Sequence, residues 1–322
     1  MAKIFFFDPV AEELEIVEEQ LLKIIDSEVR IVNQASRSLM KAGGKRMRPA
    51  FALLAAKLFQ EDLTRVRPLA VALEMVHLAS LIHDDVVDNS MLRRGIETVK
   101  SKWGNRVSIY SGNYILSRSL QILADYRRSD IIDIMAQASI KISEGELIQL
   151  RSLYDVELGI KNYFRRIERK TALLISVSCQ LGAMIAEADP KQVAALKAYG
   201  YYLGMAFQIT DDILDLIADE KTLGKPTGSD IKQGVITLPA IYALHHSEYK
   251  EELTFLLSSP ISCNNETKRI LDLIMTSDGI EYAYYVAGHF ARKAQRQLQH
   301  LPQGEVLGSL YGMAEYMLLR DN

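Results

Sequence analysis

The sequence predicts an all-α protein, and three observations favour that class. Apolar residues recur at helical spacing over long segments, for example residues 63–88 and 162–186. Asp8-Pro9 and Asp189-Pro190 are typical helix starts, with aspartate as the cap and proline in the first turn. Alternating polar and apolar residues bounded by turn pairs do not recur. A helical bundle is therefore the simplest architecture.

Each helix is predicted to begin at a cap, a proline or a change of polarity, and to end near a glycine, a proline or a polar stretch. The predicted helices cover residues 8–32, 49–59, 63–88, 111–125, 129–154, 162–186 and 189–218. Residues 219–235 are polar and rich in glycine, so they are predicted to form a loop. The remainder is predicted to be helical with a polar break at residues 260–267.

Composition limits the class of protein. The 322 residues are 48% hydrophobic and 25% charged, which is typical of a globular protein with a large core. No low-complexity linker divides the chain, so we predict a single domain over residues 1–322. The net charge of -3 argues against a nucleic-acid partner, because no excess of Lys and Arg can neutralise a phosphate backbone.

Targeting signals are not recognised in the sequence. The N-terminal apolar run stops at Asp8-Pro9, which is too short for a secretory signal. The longest uncharged stretch, residues 171–186, falls short of a membrane span. Cys179 and Cys263 have no metal-ligand spacing. We therefore predict a cytoplasmic protein without a transmembrane segment.

An acidic motif ends the predicted helix 63–88. Asp84 and Asp88 lie one helical turn apart on one face, and Asp85 neighbours Asp88 at the i,i+3 spacing. Because like charges so placed repel, the motif is typical either of a solvated helix end or of a site where magnesium lies between carboxylates. The same face continues into a mainly apolar stripe toward Leu73.

A second copy of the motif favours the metal site over the solvated helix end. Asp211, Asp212 and Asp215 follow the apolar run 201–210, and basic residues come after them. Two helices that bring acidic faces to a common cavity would hold several metal ions on a polyanion.

Basic residues occur at two further places. Lys45, Arg46 and Arg48 precede or flank Pro49 at a helix start, where backbone N–H groups and the helix dipole favour an anion; an ordinary basic loop is the alternative. Lys170-Thr171 stands at a polarity switch, where the lysine either reaches a cavity or extends along the surface.

Glu146 and Gln149, on the predicted helix 129–154, are predicted to make a buried polar contact between helices.

Taken together and in this order, the motifs resemble the signature set of trans-isoprenyl diphosphate synthases over nearly the whole chain. They are Gly43-Gly44-Lys45-Arg46-Met47-Arg48-Pro49, the first acidic motif with Arg93-Arg94-Gly95, Lys170-Thr171, and Phe207-Gln208-Ile209-Thr210-Asp211-Asp212-Ile213-Leu214-Asp215 with Gly224-Lys225. In detail, the motifs of this chain are similar to those of component II, the catalytic subunit, of bacterial two-component hexaprenyl or heptaprenyl diphosphate synthases.

This resemblance implies an isoprenoid-synthase-type helical bundle around a central cavity. It implies a prenyltransferase that extends an allylic diphosphate, such as farnesyl diphosphate, by head-to-tail condensation with isopentenyl diphosphate. Magnesium is the implied cofactor and a small component I protein the implied partner, with a homodimer possible in its absence. The implied use of the product is the side chain of menaquinone.

The resemblance also implies a role for each motif residue. The metal ligands would be Asp84, Asp85, Asp88, Asp211, Asp212 and Asp215. The allylic substrate would be bound by Arg93, Lys170, Gln208 and Lys225, and isopentenyl diphosphate by Gly44, Lys45, Arg48, His77 and Arg94. Thr171 would be a further substrate-binding residue. The expected catalytic residues are Asp84, Asp85, Asp88, Lys170, Asp211, Asp212 and Lys225.

Product length and two departures follow from the same resemblance. Short-chain members close the product tunnel with bulky aromatic residues just before the first acidic motif. Here Ala79 and Ser80 are small and leave the tunnel open toward Val76, so a long product is implied. Asn113 stands where many relatives have aspartate, and Val235 where many have a phosphate-binding lysine, which puts those two roles in doubt.

Three alternatives stay open at this point. The nearest is a homodimeric geranylgeranyl or other polyprenyl diphosphate synthase that needs no second protein. A class I terpene cyclase shares one acidic motif, but the intact second motif speaks against it. A catalytically silent helical regulatory subunit would require both acidic motifs to be vestigial.

Overall fold

The computed structural model describes residues 5–24, 28–41, 43–93, 95–217, 227–261 and 263–319. Within these ranges the regular secondary structure is helical apart from one two-stranded hairpin, so the all-α prediction is confirmed. None of the helices in the described part of the chain is long and apolar enough to cross a membrane.

Helices follow one another closely along the chain. The first half contains a 3₁₀ helix (Phe5–Val10), α1 (Ala11–Ile24), α2 (Arg30–Lys41), α3 (Met47–Lys57), α4 (Arg67–Val87), β1 (Leu92–Arg93), β2 (Ile96–Glu97), α5 (Val99–Ala124) and α6 (Ser129–Arg151). The second half contains α7 (Ile160–Ile167), a π-helical segment (Glu168–Ala172), α8 (Leu173–Ile185), α9 (Pro190–Ile217), α10 (Ser229–Lys232), α11 (Leu238–His246), α12 (Lys250–Leu257), α13 (Asn264–Thr276), α14 (Gly279–Gln297) and α15 (Glu305–Leu319).

Two predicted boundaries were wrong. The single helix expected through residue 32 is interrupted in the structure, because Glu28 and Val29 are not helical and α2 begins at Arg30. Helix α5 begins at Val99 instead of residue 111, because the hydroxyl of Thr98 caps it by accepting a hydrogen bond from the Ser101 N–H at 3.1 Å. The glycine-dependent kink at Gly104, with φ 79°, interrupts the helical periodicity that would have shown this start.

The described residues divide into two compact units. The first unit lies within Met1–Gln137, Leu174–Gly200 and Gln297–Gly312, and the second within Ala138–Leu173, Tyr201–Arg296 and Met313–Asn322. The single domain expected over residues 1–322 stays a prediction.

Helix α4 lies at the centre of the first unit. Every residue from Leu69 to Val76 is buried, so α4 is enclosed on all sides along this stretch. It packs along α5, and Gly112 permits a close approach at the level of the first acidic motif. A Cβ at Gly112 would lie 2.4 Å from Nε2 of His83, so a larger residue would push the two helices apart.

The second unit has its own apolar core. Ile209 and Ile213 of α9 are fully buried and belong to one cluster with Ile241 of α11 and Ile274 of α13. These isoleucines keep α9 fixed at the level of the second acidic motif, since they lie in the same two turns of the helix.

Candidate active site

The first acidic motif lies at the C-terminal end of α4. Asp84 and Asp88 are half-buried and Asp85 is buried. Asp88 is the C-terminal cap, and its N–H donates to the carbonyl of Asp84 at 2.8 Å. Carboxylates at a helix C-terminus repel the negative end of the helix dipole. The arrangement is therefore favourable only when positive charge lies close by.

Part of that charge comes from Arg93, on the β1–β2 hairpin. Its Nε and Nη2 lie 2.9 Å and 2.8 Å from Oδ1 of Asp85. Burial raises the pKa of Asp85, although the hydrogen bond and charge of Arg93 lower it. Oδ2 of Asp85 is buried and accepts no hydrogen bond from the residues that the structure describes. A buried carboxylate oxygen of this kind suits a hard cation.

The second acidic motif lies in the last turns of α9, again at the negative end of a helix dipole. Asp211 is exposed, whereas Asp212 and Asp215 are 4% and 1% exposed. The same sequence pattern therefore leaves one accessible carboxylate here. Metal binding by Asp212 and Asp215 stays a prediction, and both have internal partners in the structure.

Asp212 accepts two hydrogen bonds from neutral donors. Nε2 of Gln208 lies 2.7 Å from Oδ1, and the hydroxyl of Tyr163 lies 2.7 Å from Oδ2. Burial raises the pKa of the Asp212 carboxyl to about 6, and the two hydrogen bonds lower it in part. The guanidinium of Arg166 lies 5.5 Å from the centre of the Tyr163 ring and donates to the carbonyl of Ile236 at 2.8 Å.

Asp215 holds the backbone that follows the second motif. Its Oδ2 accepts from the N–H of Asp230 at 3.0 Å, and its carbonyl accepts from the N–H of Gly228 at 2.7 Å. Gly228, with φ 72°, is the N-terminal cap of α10. Asp215 therefore stabilises the start of this short helix.

Lys170 and Thr171 lie in the π-helical segment, and their side chains contact two different helices, α6 and α9. Nζ of Lys170 lies 3.0 Å from Oε2 of Glu146 and 3.2 Å from Oε1 of Gln149, both on α6. The hydroxyl of Thr171 donates to Oε1 of Gln208 on α9 at 2.6 Å. Glu146 and Gln149 therefore make the predicted polar contact between helices, although Glu146 is half-buried and only Gln149 is buried. π-Helical turns often occur at functional sites.

The basic loop precedes α3 in the first unit. Lys45 is exposed, Gly44 and Arg48 are half-buried, and Arg46 is buried. His77 is half-buried on α4, seven residues before Asp84. The loop and α4 belong to the same unit.

Residues expected to set product length line the middle of α4. Val76 and Ala79 are 6% and 1% exposed, and Ser80 is half-buried. The Ser80 hydroxyl donates to the carbonyl of His77 at 2.8 Å. Small side chains at Ala79 and Ser80 therefore precede the carboxylates of the same helix by one to two turns.

The two departures have different environments. Asn113 is exposed on α5. Val235 is buried at 8% exposure, and its N–H donates to the carbonyl of Asp230 at 2.9 Å, so a charged lysine would be costly at this position. Arg94, Gly224 and Lys225 lie outside the described residues.

Sequence reasoning missed Tyr163. It lies 49 positions from Asp212, and no local spacing connects a tyrosine on α7 with a carboxylate on α9. The contact becomes visible only in the folded structure, where both residues are buried.

A divalent cation fits the donors of the acidic motifs. Within the described residues, no three histidine, cysteine, aspartate or glutamate side chains converge closely enough to bind a metal unaided. The accessible donors are carboxylates, which are hard ligands, and a diphosphate would supply further oxygens. Each motif, taken by itself, therefore suits a cation that enters together with its substrate.

Known proteins share this chain's features along most of its length. The family model described as polyprenyl synthetase matches residues 29–274, which include both acidic motifs. The chain is 42% identical over 312 residues to heptaprenyl diphosphate synthase component 2 of Geobacillus stearothermophilus, covering 97% of each chain. It is also similar to two solved structures. The heptaprenyl diphosphate synthase from Staphylococcus aureus has a TM-score of 0.90 at 36% identity, with 97% of this chain and 98% of that chain covered. A polyprenyl synthase from Caulobacter crescentus CB15, complexed with calcium and isoprenyl diphosphate, has a TM-score of 0.92 at 31% identity, with 97% and 96% covered.

Proposed function

The chain belongs to the polyprenyl synthetase family, and we propose that it is the catalytic subunit of a two-component enzyme that makes hexaprenyl or heptaprenyl diphosphate. It is a prenyltransferase. The proposed substrates are isopentenyl diphosphate and an allylic diphosphate such as farnesyl diphosphate, and the proposed use of the product is a quinone side chain such as that of menaquinone.

One observation carries this proposal. Helix α4 presents buried, small or apolar side chains at Val76 and Ala79, and then, on the same helix, the carboxylates Asp84, Asp85 and Asp88. An apolar stretch of helix followed by a cluster of carboxylates suits a substrate with a prenyl tail and a metal-bound diphosphate head. In the reaction, the allylic C–O bond breaks, the double bond of the isopentenyl unit attacks the allylic carbon, and loss of a proton restores a double bond.

We propose magnesium as the metal. The first motif supplies the half-buried carboxylates of Asp84 and Asp88 and the buried Oδ2 of Asp85. The second motif, taken by itself, supplies the exposed carboxylate of Asp211. When bound, the metal neutralises charge that develops on the departing diphosphate. Asp212 would use the remaining lone pairs of oxygens that already accept hydrogen bonds from Gln208 and Tyr163.

Two of the proposed diphosphate ligands are held in ion pairs. Arg93 is paired with Asp85, and Lys170 with Glu146. These pairs orient both cations, and an incoming diphosphate would compete for them with the protein's own carboxylates. Lys225 and Arg94 are proposed to take part on the basis of the motif alone.

The reaction is tested with purified protein, farnesyl diphosphate, isopentenyl diphosphate and magnesium, with and without the candidate small subunit. We expect a radiolabelled polyprenyl diphosphate only in the complete mixture, and its loss on addition of EDTA. Full activity of the chain alone would identify a homodimeric synthase. No condensation with any partner would favour a silent regulatory subunit.

Product length is tested at Ser80. Ser80→Phe places a bulky ring one turn before Asp84, so we expect shorter products in chromatography of the hydrolysed polyprenols. Ser80→Ala is the matched control, since it removes the hydrogen bond to His77 without adding bulk. An unchanged product distribution in Ser80→Phe would contradict the assignment of the tunnel to this face of α4.

A further inference from the structure

Arg46 differs from the other basic residues of its loop. Its backbone is left-handed, with φ 48° and ψ 37°, immediately before α3 begins at Met47. A residue with a Cβ adopts this conformation only at an energetic cost. Its side chain is only 4% exposed, whereas Lys45 is exposed and Arg48 is half-buried. The loop therefore turns Arg46 into the protein while its neighbours stay accessible.

The guanidinium of Arg46 joins two helices. Nε and Nη2 donate to the two carboxylate oxygens of Glu18 on α1, at 2.6 Å and 2.8 Å. Nη1 donates to Oε1 of Glu74 on α4 at 2.9 Å. Glu74 is 2% exposed within the enclosed part of α4. Because a buried carboxylate needs a paired cation, Arg46 is the counter-charge that allows Glu74 to remain in this core.

The geometry ties the loop to the helix that carries the first acidic motif. Glu74 lies on α4 together with His77 and Asp84. A fixed Arg46 sets where Lys45 and Arg48 emerge relative to those two residues, all within the first unit. Arg46 itself is too enclosed to contact a substrate, since its three donor nitrogens are engaged by carboxylates.

We propose that Arg46 is a positioning residue for the isopentenyl diphosphate pocket, and this rests on the proposed function. It pre-organises Lys45 and Arg48 for the diphosphate of the nucleophilic substrate, and Glu18 and Glu74 hold it in place. Pre-organised cations lower the entropic cost of binding, so loss of this support weakens the substrate that these cations bind. The allylic substrate, which has other proposed ligands, is affected less.

Arg46→Lys and Glu18→Gln test the proposal. A lysine cannot donate to two carboxylates in the geometry of a guanidinium. We expect Arg46→Lys to raise the KM for isopentenyl diphosphate roughly tenfold, with a change of less than about twofold in the KM for farnesyl diphosphate. Glu18→Gln keeps one acceptor oxygen, so its effect on the same KM is smaller and in the same direction.

Glu13→Gln is the matched control. Glu13 accepts from Nε and Nη2 of Arg67 at 2.5 Å and 2.9 Å, so a similar arginine–glutamate pair links α1 to α4 away from the loop. A drop in Tm comparable to that of Glu18→Gln is expected, with both KM values unchanged. An Arg46→Lys enzyme whose two KM values move together, or not at all, overturns the proposal. If Arg46→Lys does not fold, unchanged KM values in Glu18→Gln overturn it. All KM values are measured with the candidate small subunit present, and a wild-type protein that shows no condensation activity with any partner refutes the proposed function instead.

Discussion

The two acidic motifs share the pattern Asp-Asp-x-x-Asp and a position near a helix C-terminus, but they differ in how their carboxylates are used. In the first motif only Asp85 is buried, and its partner is a cation, Arg93. In the second motif Asp212 and Asp215 are both buried, and they accept hydrogen bonds from neutral donors of the second unit, the Tyr163 hydroxyl and the Asp230 N–H.

This difference teaches that the shared pattern combines two roles. The first aspartate of each motif, Asp84 or Asp211, is accessible, whereas the second, Asp85 or Asp212, is buried. A mobile ligand reaches an accessible side chain more easily, whereas a buried side chain also holds neighbouring elements together. The comparison therefore predicts that substitution of an accessible member changes turnover with little change in stability, and that substitution of a buried member changes stability as well, most clearly in the second motif.

The largest effect is expected at the accessible end of the comparison. Asp211→Asn removes one charge from an exposed carboxylate without creating a cavity, so kcat/KM is expected to fall by about 10³ with little change in Tm. Steady-state kinetics with farnesyl and isopentenyl diphosphates measure the first quantity, and thermal unfolding followed by circular dichroism measures the second. Asp133→Asn, an exposed aspartate on α6, is the control and should leave both unchanged. Full activity in Asp211→Asn would break the comparison.

A smaller effect, measured on stability, is expected at the buried end. The folded protein binds a proton at Asp212 with a pKa of about 6, above the ordinary value of 3.8. Between these pH values the folded state holds a proton that the unfolded state has lost, so this stabilisation is complete below pH 4 and is lost as pH rises through 6. Asp212→Asn removes the titration.

Urea unfolding in EDTA from pH 4 to pH 8 measures this linkage. The free energy of unfolding of wild type, relative to Asp212→Asn, is expected to decrease by on the order of 2 kcal/mol across that range. A difference that does not depend on pH would show that Asp212 stays ionised throughout, and that its burial is less costly than the comparison requires.

Local sequence signals accounted for the helices and for the acidic motifs, but not for accessibility. Helical periodicity, Pro68 in the first turn of α4 and the Asp189-Pro190 start are properties of a few adjacent residues, so they could be predicted. The partners of Asp212 and Lys170 come from positions far along the chain. Their identity depends on tertiary packing, which a single sequence does not display.

For the same reason, the sequence alone does not distinguish the three basic residues of the loop from one another. Lys45, Arg46 and Arg48 have equal charge and neighbouring positions, and nothing in the sequence separates them. The left-handed backbone at Arg46 places its side chain between two glutamates, 28 residues away in each direction. Function therefore divides within a motif according to burial, in the loop as in the acidic motifs.

The smallest expected effect is a difference in stability between two buried tyrosines, one that donates to the charged carboxylate of Asp212 and one that donates to a backbone carbonyl. Tyr163 and Tyr199 are both fully buried, and their hydroxyls donate to Asp212 at 2.7 Å and to the carbonyl of Leu310 at 2.8 Å. Tyr163→Phe is expected to cost roughly 1.5–3 kcal/mol at pH 8, because it leaves a charged oxygen unsatisfied, and Tyr199→Phe about 0.5–1.5 kcal/mol. Urea unfolding measures both. In the Asp212→Asn background, where the acceptor is neutral, the cost of Tyr163→Phe should fall to that of Tyr199→Phe. If both substitutions lower the free energy of unfolding equally in the wild-type background, the hydrogen bond from Tyr163 does not stabilise the ionised carboxylate of Asp212 more than a neutral acceptor. The contribution of the buried aspartate to stability would then come from packing alone.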